Sequence, residues 1–197
     1  MLPIVIHSAK PWIKDKVPRN NMVSWLGDSL SSCGEGQTFY TSVNVASYNF
    51  WTLNLPKTGE SVSNGLFIPG GTKAVSGVDL AYMRDTLLPQ ILAYAIRPGF
   101  CAVLGGTNDV GSFGTENGVH AAQAKLRTIY QTLLANKIIP IAQGIPTIEN
   151  NAAFRANIIN FNQHVSDLAT ELDIPYVDYF PVTDDGVDGW ITARSCG

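Results

Sequence analysis

Three short segments of the chain carry groups suited to acyl chemistry. The first is Gly27-Asp28-Ser29-Leu30-Ser31, directly after the apolar run Met22-Val-Ser-Trp-Leu26. A serine placed between a strand and a helix presents its hydroxyl at the mouth of a sheet, beside N–H groups that have no intrahelical partner. That is a suitable position for a nucleophile. Asp and Ser are also favoured helix caps, and on these residues alone a cap is the simpler reading. The second segment is Val75-Ser76-Gly77-Val78-Asp79-Leu80. A glycine there lets the backbone approach a ligand and offer an unobstructed N–H. Taken alone it is a turn glycine, and Gly70 and Gly71 compete for the role. The third is Gly105-Gly106-Thr107-Asn108-Asp109-Val110. The Asn108 side chain is a neutral donor that could stabilise a tetrahedral oxyanion. An Asn-Asp turn accounts for it equally well.

These segments need elements to hold them. Met22–Leu26, Leu66–Ile68, Gly99–Leu104, Ile138–Ala142 and Pro175–Tyr179 read as five short buried strands, each but the last closed by a glycine-containing stretch. Helical spacing falls between them. Leu80, Met83, Leu87 and Ile91 share one face, as do Ala122, Leu126, Ile129 and Leu133. Phe154, Ile158, Phe161, Val165, Leu168 and Leu172 form the clearest stripe, in steps of four and three. The segment 37–55 fits either a strand or one face of a helix. Alternating strands and helices predict an α/β fold, a three-layer α/β/α sandwich with a five-stranded, mostly parallel sheet. Such sheets bind ligands beyond the carboxyl ends of their strands. All three segments follow expected strands, so they should converge at that edge.

In this order, the three segments resemble the sequence blocks of the SGNH (GDSL-type) hydrolase superfamily. Trp25-Leu-Gly-Asp-Ser-Leu30 is similar to the first block, the Gly77 segment to the second, and Gly106-Thr-Asn-Asp109 to the third, most specific one. The likeness spans about residues 22–180 and implies a flavodoxin-like hydrolase domain over 22–197, preceded by an arm over 1–21. It implies that Ser29 attacks an ester carbonyl and passes through an acyl-serine intermediate. The Ser29 N–H, the Gly77 N–H and the Asn108 side chain would then form the oxyanion hole. It implies no metal or organic cofactor. Its substrates would be small-molecule or carbohydrate esters, with acetylated carbohydrate suggested by family analogy alone.

The superfamily's last block, Asp-x-x-His, supplies the general base and the carboxylate that orients it. Here the chain departs from the pattern. Its three histidines, His7, His120 and His164, do not stand in such a block. Asp185-Gly-Val-Asp188 resembles the block with Asp in place of His. In a second alignment, which we favour, Gly189-Trp190 is the loop that precedes the block, and the chain stops short of it. The expectation is weak or absent ester hydrolysis by the 197 residues alone. An impaired binding or structural module of a larger assembly is therefore an alternative to the esterase. A nucleotide-binding domain is a poorer alternative, because neither G-x-G-x-x-G nor a P-loop occurs.

Composition narrows the remaining classes. With 197 residues, 45% hydrophobic and 15% charged, the chain has the content of one globular domain. A net charge of −3 with scattered Lys and Arg speaks against a nucleic-acid partner. No signal peptide is visible, and no apolar stretch approaches the length of a membrane span. Cys33, Cys101 and Cys196 lie far apart with no C-x-x-C pair, which argues against a zinc site. Cys101 reads as a buried small hydrophobe, and a Cys33–Cys101 bridge would need an oxidising compartment.

Overall fold

The computed structural model describes Asn20, residues 22–28, Ser31, and residues 67–113, 116–146 and 152–183. The N-terminal arm (Asn20 apart), Ser29, the segment 37–55 and the tail from Asp184 lie outside the described residues.

Five parallel strands form one sheet. They are β1 (Val23–Gly27), β2 (Phe67–Ala74), β3 (Phe100–Leu104), β4 (Ile139–Gln143) and β5 (Tyr176–Val177), in the order β2-β1-β3-β4-β5. Central β3 is apolar throughout, as a strand covered on both faces must be. Its Cys101, Ala102, Val103 and Leu104 are all buried.

Strand β2 differs from the sequence reading. Pro69-Gly70-Gly71 was expected to close it, yet the strand continues to Ala74. Two steps along β1, from Val23 to Trp25, are matched by five along β2, from Phe67 to Thr72. The extra residues bulge out of the ladder. This is tolerated because β2 is an edge strand, where a proline that cannot donate and an irregular register do least harm. Gly70 and Gly71 therefore belong to the strand, and Gly77 to the loop at its carboxyl end.

Between β2 and β3 runs helix α1, with an α-helical turn (Leu80–Tyr82), a π-helical segment (Met83–Leu87) and a second α-helical piece (Leu88–Leu92). Pro89 has no N–H, and its ring crowds the carbonyl one turn earlier, so the preceding turn widens. The widening buries Leu87 and Leu88 together, beside the expected Leu80, Met83 and Ile91. Helix α2 (Thr107–Phe113) had not been read from the sequence. Helices α3 (Glu116–Ala135) and α4 (Ala152–Glu171) pack against each other. Their expected apolar stripes are buried from Ala122 to Leu133 and from Ile158 to Leu168, with Phe154 and Leu172 partly exposed at the ends. A short α5 (Phe180–Thr183) follows β5.

Helices α3 and α4 end alike. Lys137 and Asp173 take left-handed φ of 58° and 51°. The N–H of the following residue then reaches back to an orphan carbonyl: Ile138 to Leu133 at 3.0 Å, and Ile174 to Ala169 at 2.9 Å. This is the Schellman arrangement. In both cases the buried isoleucine after the reversal anchors the chain for the next strand.

Cys101 is a free, buried thiol, and burial pushes its pKa up to about 12. It is thereby inert as a nucleophile. The fold prefers the neutral thiol, so its contribution to stability is complete below about pH 9, the unfolded value, and is lost as pH rises through the alkaline range. Tyr130, also fully buried and shifted upward, acts in the same direction. We expect Cys101 to resist iodoacetamide in the native state. We also expect Cys101→Ala to lose less stability than wild type between about pH 8 and about pH 10.5 in urea titrations. Equal losses would show that the thiol does not contribute to the alkaline limb.

Candidate active site

The strand order creates a crevice. β1 lies between β2 and β3, and the chain leaves β1 toward β2 but leaves β3 toward β4. Connections that depart in opposite directions from neighbouring strands leave an opening at their carboxyl ends, the usual ligand position in open α/β sheets. Ser29 follows β1 after one residue, and Asn108 lies in the first turn after β3.

Backbone bonds tie the three strand ends together. The Val75 N–H donates to the Gly27 carbonyl at 3.3 Å, and the Asp28 N–H donates to the Leu104 carbonyl at 3.3 Å. Asp28 is buried, and its carbonyl accepts the Ser31 N–H at 3.1 Å. Ser29 itself lies outside the described residues, while that bond holds Asp28 and Ser31 at this edge.

The Gly77 and Asn108 segments are in direct contact. Asn108 Nδ2 donates to the Val78 carbonyl at 2.8 Å. The next residue, Asp109, accepts the Leu80 N–H on Oδ2 at 2.8 Å. Two adjacent residues of α2 thus grip Val78, in the loop that carries Gly77, and Leu80, where that loop enters α1. Gly77 is exposed with φ of 78°, and a Cβ there would meet nothing within 4 Å. Only the backbone conformation favours glycine there. An amide NH₂ has two hydrogens. One of Asn108's holds the Val78 carbonyl, and the second can serve a substrate oxyanion.

Gly106 shapes the turn that delivers Asn108. Its φ is 113°, and an added Cβ would sit 2.5 Å from the Phe161 ring. Both the backbone conformation and the close ring exclude a side chain. The carbonyl of Gly106 accepts the Val110 N–H at 2.9 Å and starts α2. Asn108 is therefore held in a helical first turn, where the sequence had suggested a loop.

Lys125 and Asn162 escaped the sequence reading. Lys125 Nζ meets Asp109 Oδ1 at 2.8 Å. Asn162, within the apolar stripe of α4, clamps both the N–H and the carbonyl of Ile145 at 2.8 Å. A polar residue inside or beside an apolar stripe was the available signal in both cases. The partners, 16 and 17 residues away, were not legible.

Of the three histidines, His7 lies outside the described residues. His120 on α3 and His164 on α4 meet edge to face, with ring centroids 4.9 Å apart. Asp185 and Asp188 also lie outside the described residues. A cleft of about 510 Å³ runs between α4 and β5, lined by Asn162, Tyr176, Asp178 and Phe180 among others, at the margin of the sheet farthest from β2. No described helix is long and apolar enough to cross a membrane.

Residues 25–195 match the model of the GDSL-like lipase/acylhydrolase family, a span that takes in Ser29, Gly77, Asn108 and Asp184 to Trp190. No curated protein matches the sequence. Among solved structures, a GDSL-like lipase from Bacteroides thetaiotaomicron is similar at 16% identity, over 88% of this chain and 76% of its own, with a TM-score of 0.61. The acetylxylan esterase Axe2 from Geobacillus stearothermophilus is similar at 20% identity, over 84% and 79%, with a TM-score of 0.56. The acetyl xylan esterase AlAXEase is similar at 16% identity, over 82% and 78%, also at 0.56. At these identities the likeness to each structure is one of fold.

Proposed function

Because the chain belongs to the GDSL-like lipase/acylhydrolase family, whose chemistry is ester hydrolysis, we propose that it cleaves small carboxylic esters through an acyl-Ser29 intermediate. The Ser29 hydroxyl adds to the ester carbonyl while its proton passes to a base. The oxyanion that forms is held by the N–H groups of Ser29 and Gly77 and by the second Nδ2 hydrogen of Asn108. Collapse expels the alcohol, and water then releases the acid from Ser29. The observation that carries this reading is the Asn108–Val78 hydrogen bond, which brings the third-block asparagine onto the second-block loop beside the β1/β3 crevice.

The acyl group we propose is acetyl, carried on carbohydrate. Two of the similar folds are named as acetylxylan esterases, and an acetyl group needs little room beyond the oxyanion hole. Where Asp185-Gly-Val-Asp188, which falls inside the family match, is the last block, Asp188 takes the proton in place of the histidine. A carboxylate serves there only if its pKa is raised toward neutrality.

The test is covalent. A fluorophosphonate probe, which leaves a tetrahedral adduct on an activated serine, should label the chain once, at Ser29 by peptide mass spectrometry. The label should disappear in Ser29→Ala. A folded protein that takes no label, or takes it elsewhere, would instead be a binding module with this fold.

A further inference from the structure

We propose that Lys125, through Asp109, is a positioning residue for the oxyanion hole: it sets the distance between the Gly77 N–H and the Asn108 side chain without touching substrate. The proposal rests on the oxyanion-hole reading above.

The Asp109 side chain is fully buried, yet each of its oxygens has a partner. Oδ2 takes the Leu80 N–H, one of the orphan donors at the start of α1. Oδ1 takes the Lys125 ammonium, which reaches in from α3 with its side chain 20% exposed. Asp79, the N-cap of α1, accepts the Tyr82 N–H on Oδ1 at 2.8 Å and places Oδ2 4.0 Å from the same ammonium. Lys125 thus faces both carboxylates that hold the first turn of α1. Gly77 lies three positions before Leu80, where that turn begins, and Asn108 is the residue next to Asp109.

A buried carboxylate without a cation is costly and tends to move toward water. Lys125 compensates the charge, and so keeps Asp109 where it can hold Leu80. The two donors approach the substrate from different segments of chain. The contacts that join those segments are Asn108 to Val78 and Asp109 to Leu80, and Lys125 secures the second. A displacement of the order of an ångström in such a donor pair is felt mainly in the transition state.

The experiment compares Lys125→Met, Lys125→Arg and the double variant Asp109→Asn/Lys125→Met with wild type, using p-nitrophenyl acetate and subtracting Ser29→Ala as background. Lys125→Met should lower kcat by about 10–10²-fold with little change in KM. Lys125→Arg should recover most of that loss. The double variant removes both charges yet keeps an acceptor for Leu80. It should fold well and recover much of the rate lost in Lys125→Met, because a neutral amide can hold Leu80 without a cation. A double variant as slow as Lys125→Met would overturn the proposal, since Lys125 would then act by a route other than Asp109. A folded Lys125→Met with unchanged kcat would also overturn it. A slow Asn108→Ala beside a fast Lys125→Met would sink only the role of Lys125. A fast Asn108→Ala would sink the oxyanion-hole reading itself. The same variants can be followed by NMR where turnover is slow. The Gly77 amide and the Asn108 side-chain amide should shift in Lys125→Met and return in Lys125→Arg, and resonances that stay in place would refute the coupling.

Discussion

Asn108→Ala should lower kcat by about 10²–10³-fold, the usual cost of losing one oxyanion donor. The effect should fall on kcat rather than KM, because a carbonyl oxygen accepts only weakly in the ground state and strongly once it carries charge. The substitution also removes the bond from Nδ2 to the Val78 carbonyl. A lost partner for a half-buried group costs stability of about 1 kcal/mol, too little to unfold a domain of this size. The two consequences separate experimentally. Thermal unfolding reports the lost tie, and steady-state kinetics on an aryl acetate report the lost donor. Asn108→Asp sharpens the contrast, since it keeps the size of the side chain but aims a carboxylate at the developing oxyanion. It should be slower than Asn108→Ala. If both variants turn over at the wild-type rate, Asn108 is only a strut between α2 and the Gly77 loop.

Phe161→Ala should cost about 3–5 kcal/mol of stability, as expected for emptying a fully enclosed aromatic site. Phe161 is completely buried at the centre of the α4 stripe, and its ring lies against Gly106. It therefore fills the core and also supports the turn that delivers Asn108. The cavity left by alanine would open beneath that turn. Urea denaturation should show a lower midpoint with a similar slope. The contact also predicts non-additivity. Gly106→Ala is penalised in wild type by both its left-handed φ and the ring, but in the Phe161→Ala background by its φ alone. The double variant should thus be more stable than the two single losses imply. Strict additivity would show that the ring and the turn are independent.

Much of this architecture is readable along the chain because it depends on local periodicity. The α4 stripe from Phe154 to Leu172 has the spacing of a helix with one buried face, and the core residues within it are buried as expected. Strands β1, β3 and β4 fall within a residue of their expected bounds, because short apolar runs ended by glycine leave few alternatives. Strand β2 was misjudged at its end. Pro-Gly-Gly normally stops a strand, and only the edge position of β2, a property of the assembled sheet, lets it continue. Helix α2 was missed because Gly-Gly-Thr-Asn-Asp has the composition of a turn. Its helical start depends on Gly106 packing against a ring 55 positions away.

The residue types and spacing by themselves determined the fold class and the family, since these follow from patterns confined to a few neighbouring positions. The tertiary structure alone decided that β2 runs on through Pro69-Gly70-Gly71 to Ala74, that one hydrogen of Asn108 is committed to Val78, and that Asp109 shares its carboxylate between Leu80 and Lys125. Those are contacts between strand ends and helix starts distant in the chain. Their energy exists only once the sheet has formed and taken the buried groups out of water, and no local pattern of residues records it.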